Sequence, residues 1–243
     1  MQDRLSATLV NRRQALSLIA VTAGGGALMP PAAFAANATP PASAALLMPD
    51  AGVCAIMPQA EEGPYYLDPE LERSDIAEGR EGVPLTVRLQ VVDRECRPLA
   101  GKRVDIWHCD AQGLYSGYPG QGDGRDVDTS GQKFLRGVQV SDLNGIVAFA
   151  TIYPGWYRGR TTHIHFKVFL GERTVLTGQM FFPDDLSEHI FTTVAPYNDR
   201  SGTRDVMNRD DRVARDAGPF AQAAVREKDV AYEALLIIGV TSG

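Results

Sequence analysis

The chain has 243 residues, of which 44% are hydrophobic and 22% charged, with a formal net charge of −6. That length can bury a sizeable core, and the composition excludes disordered and collagen-like classes. The acidic balance argues against general nucleic-acid binding, which needs clustered Lys and Arg, and three cysteines without a CxxC pair exclude a disulfide scaffold or zinc knuckle.

The N-terminus reads as an address. Asn11-Arg12-Arg13 precedes the weakly apolar run Ala15–Val21, which passes through Gly24–Gly26 to Ala33-Phe34-Ala35. A basic start, an apolar middle and an A-x-A end describe an export signal over 1–35, and the paired arginines point to the twin-arginine route. The alternative is an ordinary secretory signal with two incidental arginines. The run is too short and too interrupted by glycine to span a bilayer, so the expected location is periplasmic or extracellular, without stable membrane insertion. Residues 36–60, rich in Ala and Pro, predict a flexible arm.

From 61 onward strands dominate, and 61–243 is expected to form one catalytic domain. Leu85–Val91 alternates apolar and polar residues strictly, as does Arg103–His108 after the turn Arg97–Gly101, so the two are expected as a hairpin or adjacent strands. Further strands are predicted at Gly137–Ser141, Val147–Ile152, His163–Leu170, Val175–Phe182 and Tyr232–Val240, with Ser141–Gly145 as a turn. Helix is expected only at Leu186–Thr193 and briefly between Asp210 and Lys228. The predicted fold class is all-β, an antiparallel β-sandwich with few short helices.

The most informative segment is Tyr153-Pro154-Gly155-Trp156-Tyr157-Arg158-Gly159-Arg160-Thr161-Thr162-His163-Ile164-His165-Phe166. Residues two apart on a strand share a face, so His163 and His165 can ligate one metal ion while Ile164 and Phe166 enter the core. On spacing alone the less favoured alternative is a pair of solvated strand histidines. No Cys, Asp or Glu lies in that strand, so the nearby anionic donors are Tyr157 and, after Trp107-His108-Cys109-Asp110, Tyr115. A phenol with a reference pKa near ~10 ligates at neutral pH only if a strongly charged cation lowers it, which suits Fe(III). Without the histidine pair, either tyrosine would read as a packing residue.

On these residues the sequence resembles the intradiol ring-cleavage dioxygenases, which include catechol 1,2- and protocatechuate 3,4-dioxygenases. The likeness runs roughly from Glu62 to Phe182 and is strongest at Glu62–Tyr66, Val104–Tyr115 and Pro154–His165. It looks most like an exported, single-chain branch. The resemblance implies a mononuclear non-haem Fe(III) held by Tyr115, Tyr157, His163 and His165. It implies Arg160 and Gln179 as catalytic residues, the first stabilising developing negative charge and the second orienting hydroxide or oxygen. Tyr157 would leave the metal as it takes a substrate proton. Gly63, Pro64 and Tyr65 would cover the substrate. The partners would be a catechol-type small molecule and O2, and the product a muconate-type chain carrying both oxygen atoms.

Bland readings stand beside these. Arg160 and Gln179 could be ordinary sheet-surface residues, and Gly63–Tyr65 a structural turn. His108 is expected as a hydrogen-bonded core histidine, Trp107 as a packing anchor, His189 as solvated, and Asn208–Arg212 as a solvated charged face. Cys54–Cys109 is the favoured disulfide. Two rivals remain open at this point: a secreted metal-free binding module on the same sandwich, and a zinc hydrolase using the His/Tyr cluster.

Overall fold

The structure, a computed structural model, describes residues 47, 55–68, 70–171 and 173–241; the expected signal segment 1–35 and most of the expected arm lie outside the described residues. Its strands are β1 (Pro84–Val92), β2 (Arg103–Trp107), β3 (Arg136–Val140), β4 (Ile146–Ile152), β5 (His163–Leu170), β6 (Arg173–Phe181), β7 (Ala224–Lys228) and β8 (Ala231–Gly239), with helices α1 (Asp184–Thr193) and α2 (Arg212–Ala217). They form two four-stranded sheets, in the orders β4-β1-β8-β7 and β3-β2-β5-β6. The period-two pattern explains why. Leu85, Val87, Leu89 and Val91 of β1 face inward and meet Val104 and Ile106 of β2 and Ile164, Phe166 and Val168 of β5 in one buried core. Pairing is antiparallel throughout except for β1 with β8, which run parallel from Leu85↔Tyr232 to Val92↔Gly239.

Three expectations need correction, and one strand was not anticipated. The strands β1 and β2 are neither a hairpin nor neighbours, because they lie in different sheets. The connection between them crosses the sandwich: Leu99 N–H donates to Val91 O and Gly101 N–H to Ser141 O, so it is pinned to both layers. Alternation reports which residues face the core but not which strand lies alongside.

The last part of the expected flexible arm is docked. Met57 is buried and its N–H donates to Gly239 O, while Ala60 N–H donates to Thr177 O and Thr177 N–H donates to Gln59 Oε1. Irregular segments of this kind carry no periodicity to read.

The brief helix expected between Asp210 and Lys228 is α2, Arg212–Ala217, and the strand β7 that follows it was not anticipated. As an edge strand, Ala-Val-Arg-Glu-Lys has a charged, exposed outer half that conceals its pairing in the sequence.

Finally, Cys109 keeps a free, buried thiol that donates to Gly155 O, while Cys96 is disulfide-bonded to a partner outside the described residues. The expected Cys54–Cys109 bridge is therefore replaced. Among the described residues no helix is long and apolar enough to cross a membrane.

Candidate metal centre and its cavity

Strand β5 splits its side chains as its sequence dictates: Ile164 and Phe166 enter the core, and His163 and His165 occupy the opposite face of the sheet. Both histidines are only 2% exposed, so that outer face is covered. Part of the cover is the segment 61–66. Gly63, at φ 74°, sits where a Cβ would lie 3.4 Å from the His165 ring, and Trp107 of β2 stacks on that ring at 4.8 Å and 10°.

Two loops complete the cover, and each delivers a tyrosine. After β2 the chain turns at Asp110, whose carboxylate accepts the N–H groups of Gln112 and Leu114 and pairs with Arg80. This leads to Tyr115, whose N–H donates to Gln121 Oε1. After β4 the second loop passes Gly155 and Trp156 to Tyr157 and turns tightly at Gly159, where Arg160 N–H donates to Tyr157 O. The loops cross in van der Waals contact. A Cβ at Gly113 (φ 81°) would overlap Trp156 O, and one at Gly155 would overlap Asp110 O. Glycine at these two positions is what brings the two tyrosines together.

Their side chains converge on the histidines. His163 Nε2 lies 3.0 Å from His165 Nε2, 3.1 Å from Tyr157 Oη and 3.4 Å from Tyr115 Oη. A metal ion with bonds of about 2.1 Å sets donors at right angles about 3 Å apart, so this spacing fits four ligands around one ion. Thr161 O accepts from His163 Nδ1 at 2.7 Å, which fixes the tautomer with the Nε2 lone pair free. Burial, reinforced by the Arg160 charge, pushes His163 down to about 3; burial and the neighbouring His163 hold His165 well below its ordinary value. Both imidazoles are thus neutral, with ring nitrogens that could serve as donors. Burial raises the Tyr115 and Tyr157 phenols far above theirs, so ionising them here requires a nearby positive charge. Two neutral nitrogens and two hard oxygens with that requirement match a highly charged, oxygen-seeking cation. Among the described residues no group of three or more His, Cys, Asp and Glu side chains is placed to hold a metal; the donor set that exists depends on tyrosine.

Gln179 of β6 stands directly across from His165 and is buried. Arg160 Nη2 donates to its Oε1 at 2.5 Å, and its amide donates to Glu61 O at 2.8 Å. Arg160 Nε is held in turn by Asp211 Oδ2 at 2.8 Å.

Asp211 is the residue that the sequence reading missed. It belongs to the run expected as a solvated face, yet it is 3% exposed and caps α2 through the N–H groups of Val213 and Ala214. Burial opposes its charge, but the Thr161 N–H, the Arg160 hydrogen bond and the Arg160 charge outweigh that and hold its carboxyl below the usual range. Asn208 of the same run is also engaged, accepting from Thr161 Oγ1 and donating to Phe182 O, whereas Arg209, Asp210 and Arg212 are exposed. The available signal was Asp immediately before an Arg-Val-Ala helix start, an N-cap pattern.

His108 is as expected: Nδ1 donates to Cys109 O and Nε2 accepts from Thr151 Oγ1, and burial pushes it down to about 4. His189 is exposed.

Beside the tyrosines opens a cavity of about 310 Å3, within the range of small-molecule sites. Its walls include Tyr65, Tyr115, Tyr157, Gln112 and Arg200. Tyr65 stacks on Tyr115 at 4.6 Å, so of the expected covering residues it faces the cavity, Gly63 abuts His165, and Pro64 is exposed at the turn.

A strand sandwich with a two-tyrosine, two-histidine cluster beside an open cavity defines a class, and comparison with known proteins gives the same one. The dioxygenase family model (described as "Dioxygenase") matches residues 61–206. The chain belongs to the intradiol ring-cleavage dioxygenase family. It is similar to the solved intradiol ring-cleavage dioxygenase from Tetranychus urticae, with 32% identity, a TM-score of 0.68, and coverage of 77% of this chain and 95% of that one. The dioxygenase domain of a dioxygenase carbohydrate-binding protein fusion from Streptomyces sp. SirexAA-E gives 27% identity, a TM-score of 0.59, and coverage of 78% and 100%. Among curated relatives, the hydroxyquinol 1,2-dioxygenase of Corynebacterium glutamicum is 29% identical over 145 residues, 51% of this chain and 45% of that one. The chain thus spans about half the length of the curated relatives it matches.

Proposed function

We propose that this protein is an Fe(III)-dependent intradiol dioxygenase that opens a catechol-type ring between its two hydroxyl-bearing carbons with O2, giving a muconate-type product. The observation that carries the reading is the approach of Tyr115, Tyr157 and His165 donor atoms to within 3.0–3.4 Å of His163 Nε2, at the wall of an open cavity. Bound Fe(III) would supply the positive charge that ionises the phenols and the Lewis acidity that activates a chelated catechol toward oxygen.

The protein's own groups then have distinct tasks. Tyr157 is half-buried and borders the cavity, so its phenolic oxygen is the one placed to accept a substrate hydroxyl proton. Tyr115 also borders the cavity but is only 1% exposed, and it would be the tyrosine that stays on the metal. Arg160 keeps a fixed guanidinium over the cluster through Asp211 and Gln179, where it offsets negative charge developing on the substrate. Tyr65 supplies an aromatic wall and Gly63 leaves room beside His165.

The test is oxygen uptake by iron-loaded protein given catechol. One O2 consumed per catechol, with a dicarboxylic product heavier than the substrate by two oxygen atoms, is the expected result. Turnover without oxygen, or with zinc in place of iron, would replace this reading with the hydrolase.

We further propose that residues 1–35 send the folded protein out of the cytoplasm by the twin-arginine route, which would let the metal be loaded before export. Efficient export of a reporter through the general secretory route by this segment would contradict it.

A further inference from the structure

We propose that Arg136 is a positioning residue of the metal centre, the buried cation that balances Tyr115 once the Tyr115 oxygen is on the metal; this rests on the dioxygenase reading above. Three Lys and Arg residues are buried among the described residues: Arg136, Lys167 and Arg204. Lys167 pairs with Glu62, and Arg204 with Asp184 at 3.0 Å. Arg136, 1% exposed, has no carboxylate partner among the described residues, and its Nη1 is buried without a hydrogen-bond partner. Burial lowers it only to about 10, so it stays a cation at neutral pH. A buried charge of this kind is costly unless an anion meets it.

The sheet brings that charge to the cluster. Arg136 opens β3 directly across from Trp107 of β2, which lies across from His165 of β5, so the three side chains share the covered face. Arg136 Nε donates to Ser116 Oγ at 2.8 Å and Nη2 to Ser116 O at 2.7 Å, which ties the guanidinium to the residue that follows Tyr115. Tyr115 is held by the same loop on both sides: its N–H donates to Gln121 Oε1, and its carbonyl accepts from Thr129 Oγ1 at 2.6 Å. The charge reaches two phenols, Tyr118 and Tyr115. Tyr118 keeps its proton, because its hydroxyl donates to Tyr66 O at 2.7 Å. Of the two, only Tyr115 has its oxygen in the donor cluster, 3.4 Å from His163 Nε2. Arg160, the other arginine near the cluster, is already met by Asp211. Arg136 is therefore a burden in the metal-free protein and a support for the metal-bound one, where Tyr115 is its anion.

The experiment uses the full protein and Fe(III) supplied as its nitrilotriacetate complex, with free nitrilotriacetate as competitor at neutral pH. Bound iron is read from the tyrosinate-to-iron band. Arg136→Lys keeps the charge and loses the planar fork, whereas Arg136→Met and Arg136→Gln keep much of the volume and lose the charge. The two neutral variants should bind Fe(III) at least about tenfold more weakly than wild type, and Arg136→Lys within about threefold of it. Thermal melts of the same proteins without metal separate charge from packing. There the neutral variants should melt close to wild type or above it, since exchanging an unpaired buried charge for an uncharged side chain of similar volume removes a cost.

Neutral variants that hold iron as wild type does would overturn the inference while the dioxygenase reading stands. So would an equal loss of iron in Arg136→Lys, which would assign the effect to the fork on Ser116 rather than to the charge. Neutral variants that both fail to fold, or melt far below wild type without metal, would make Arg136 a structural residue and overturn the inference too. A wild-type protein that takes up no Fe(III) would overturn the dioxygenase reading and this inference with it.

Discussion

The two sheets have the same alternating design, but one leaves much of its outer face to solvent while the other covers the middle of its outer face. In the sheet β4-β1-β8-β7 the outward residues Thr86, Ala148 and Ala150 are exposed and Arg88 is half-buried, although Gln90 near the end of β1 is covered. In the sheet β3-β2-β5-β6 the outward residues Asp105, Trp107, His163, His165 and Gln179 are all buried. Polar side chains on a covered face cost free energy unless each finds a partner. The second sheet accepts that cost where its loops bring the Tyr115 and Tyr157 hydroxyls to His163 Nε2. The contrast separates residues that hold the sandwich together from residues that the sandwich holds in place.

The sharpest way to break this separation is at the histidines. His163→Ala and His165→Ala should each lower bound iron and oxygen uptake by at least about 100-fold, beyond what loss of a metal ligand's supporting partner costs. His165→Ala should leave the metal-free protein about as stable as wild type, because His165 Nδ1 is buried without a hydrogen-bond partner and its removal relieves that burial. Metal analysis and thermal melts of the same samples check both halves; a strongly destabilised His165→Ala apo-protein would show that the histidine is structural.

On the other sheet, Phe149→Ala empties a fully buried core site and should cost about 3–5 kcal/mol in denaturant unfolding. The protein that remains folded should still bind one metal equivalent.

Asp211 joins the two behaviours, since it both caps α2 and anchors Arg160. Asp211→Ala should cost about 1–3 kcal/mol in stability and reduce turnover about as much as Arg160→Ala. The double variant should then be no slower than Arg160→Ala alone, a coupling that a double-mutant cycle reads directly.

The smallest effect is on pH. His108 is buried neutral and pushed down from 6.5 to about 4, so the unfolded chain binds a proton that the native chain does not. Native stability should therefore be intact above pH 6.5 and fall by about 1.4 kcal/mol per pH unit on its account between there and about 4. His108→Gln should flatten that limb of the acid-unfolding curve of the metal-free protein.

The same contrast explains what was legible in the sequence. The strands β1, β4, β5 and β8 were readable because apolar and polar residues alternate or run continuously in them, and the helix α1 because its pattern departs from both. Strand partnership was not, as β1 and β2 demonstrate, because facing the same core does not require sharing a sheet. His163 and His165 stood out through their spacing, and Tyr115 and Tyr157 through glycine-containing motifs whose glycines prove to sit at the loop crossing. Asp211 left an N-cap signal, but its hold on Arg160 and Trp107's stacking on His165 could not be read, since each depends on segments distant in sequence meeting over one sheet face.

The central claim is that two tyrosines and two histidines of this face bind one ferric ion together. It is tested most directly by the visible spectrum of the purified protein reconstituted with Fe(III), with iron determined on the same sample, before and after addition of catechol under nitrogen. The account predicts one iron per chain and a strong red-brown tyrosinate-to-iron band that weakens in Tyr115→Phe and in Tyr157→Phe and moves to longer wavelength with catechol. A protein that stays colourless after reconstitution, or whose band is indifferent to both tyrosines, would contradict it.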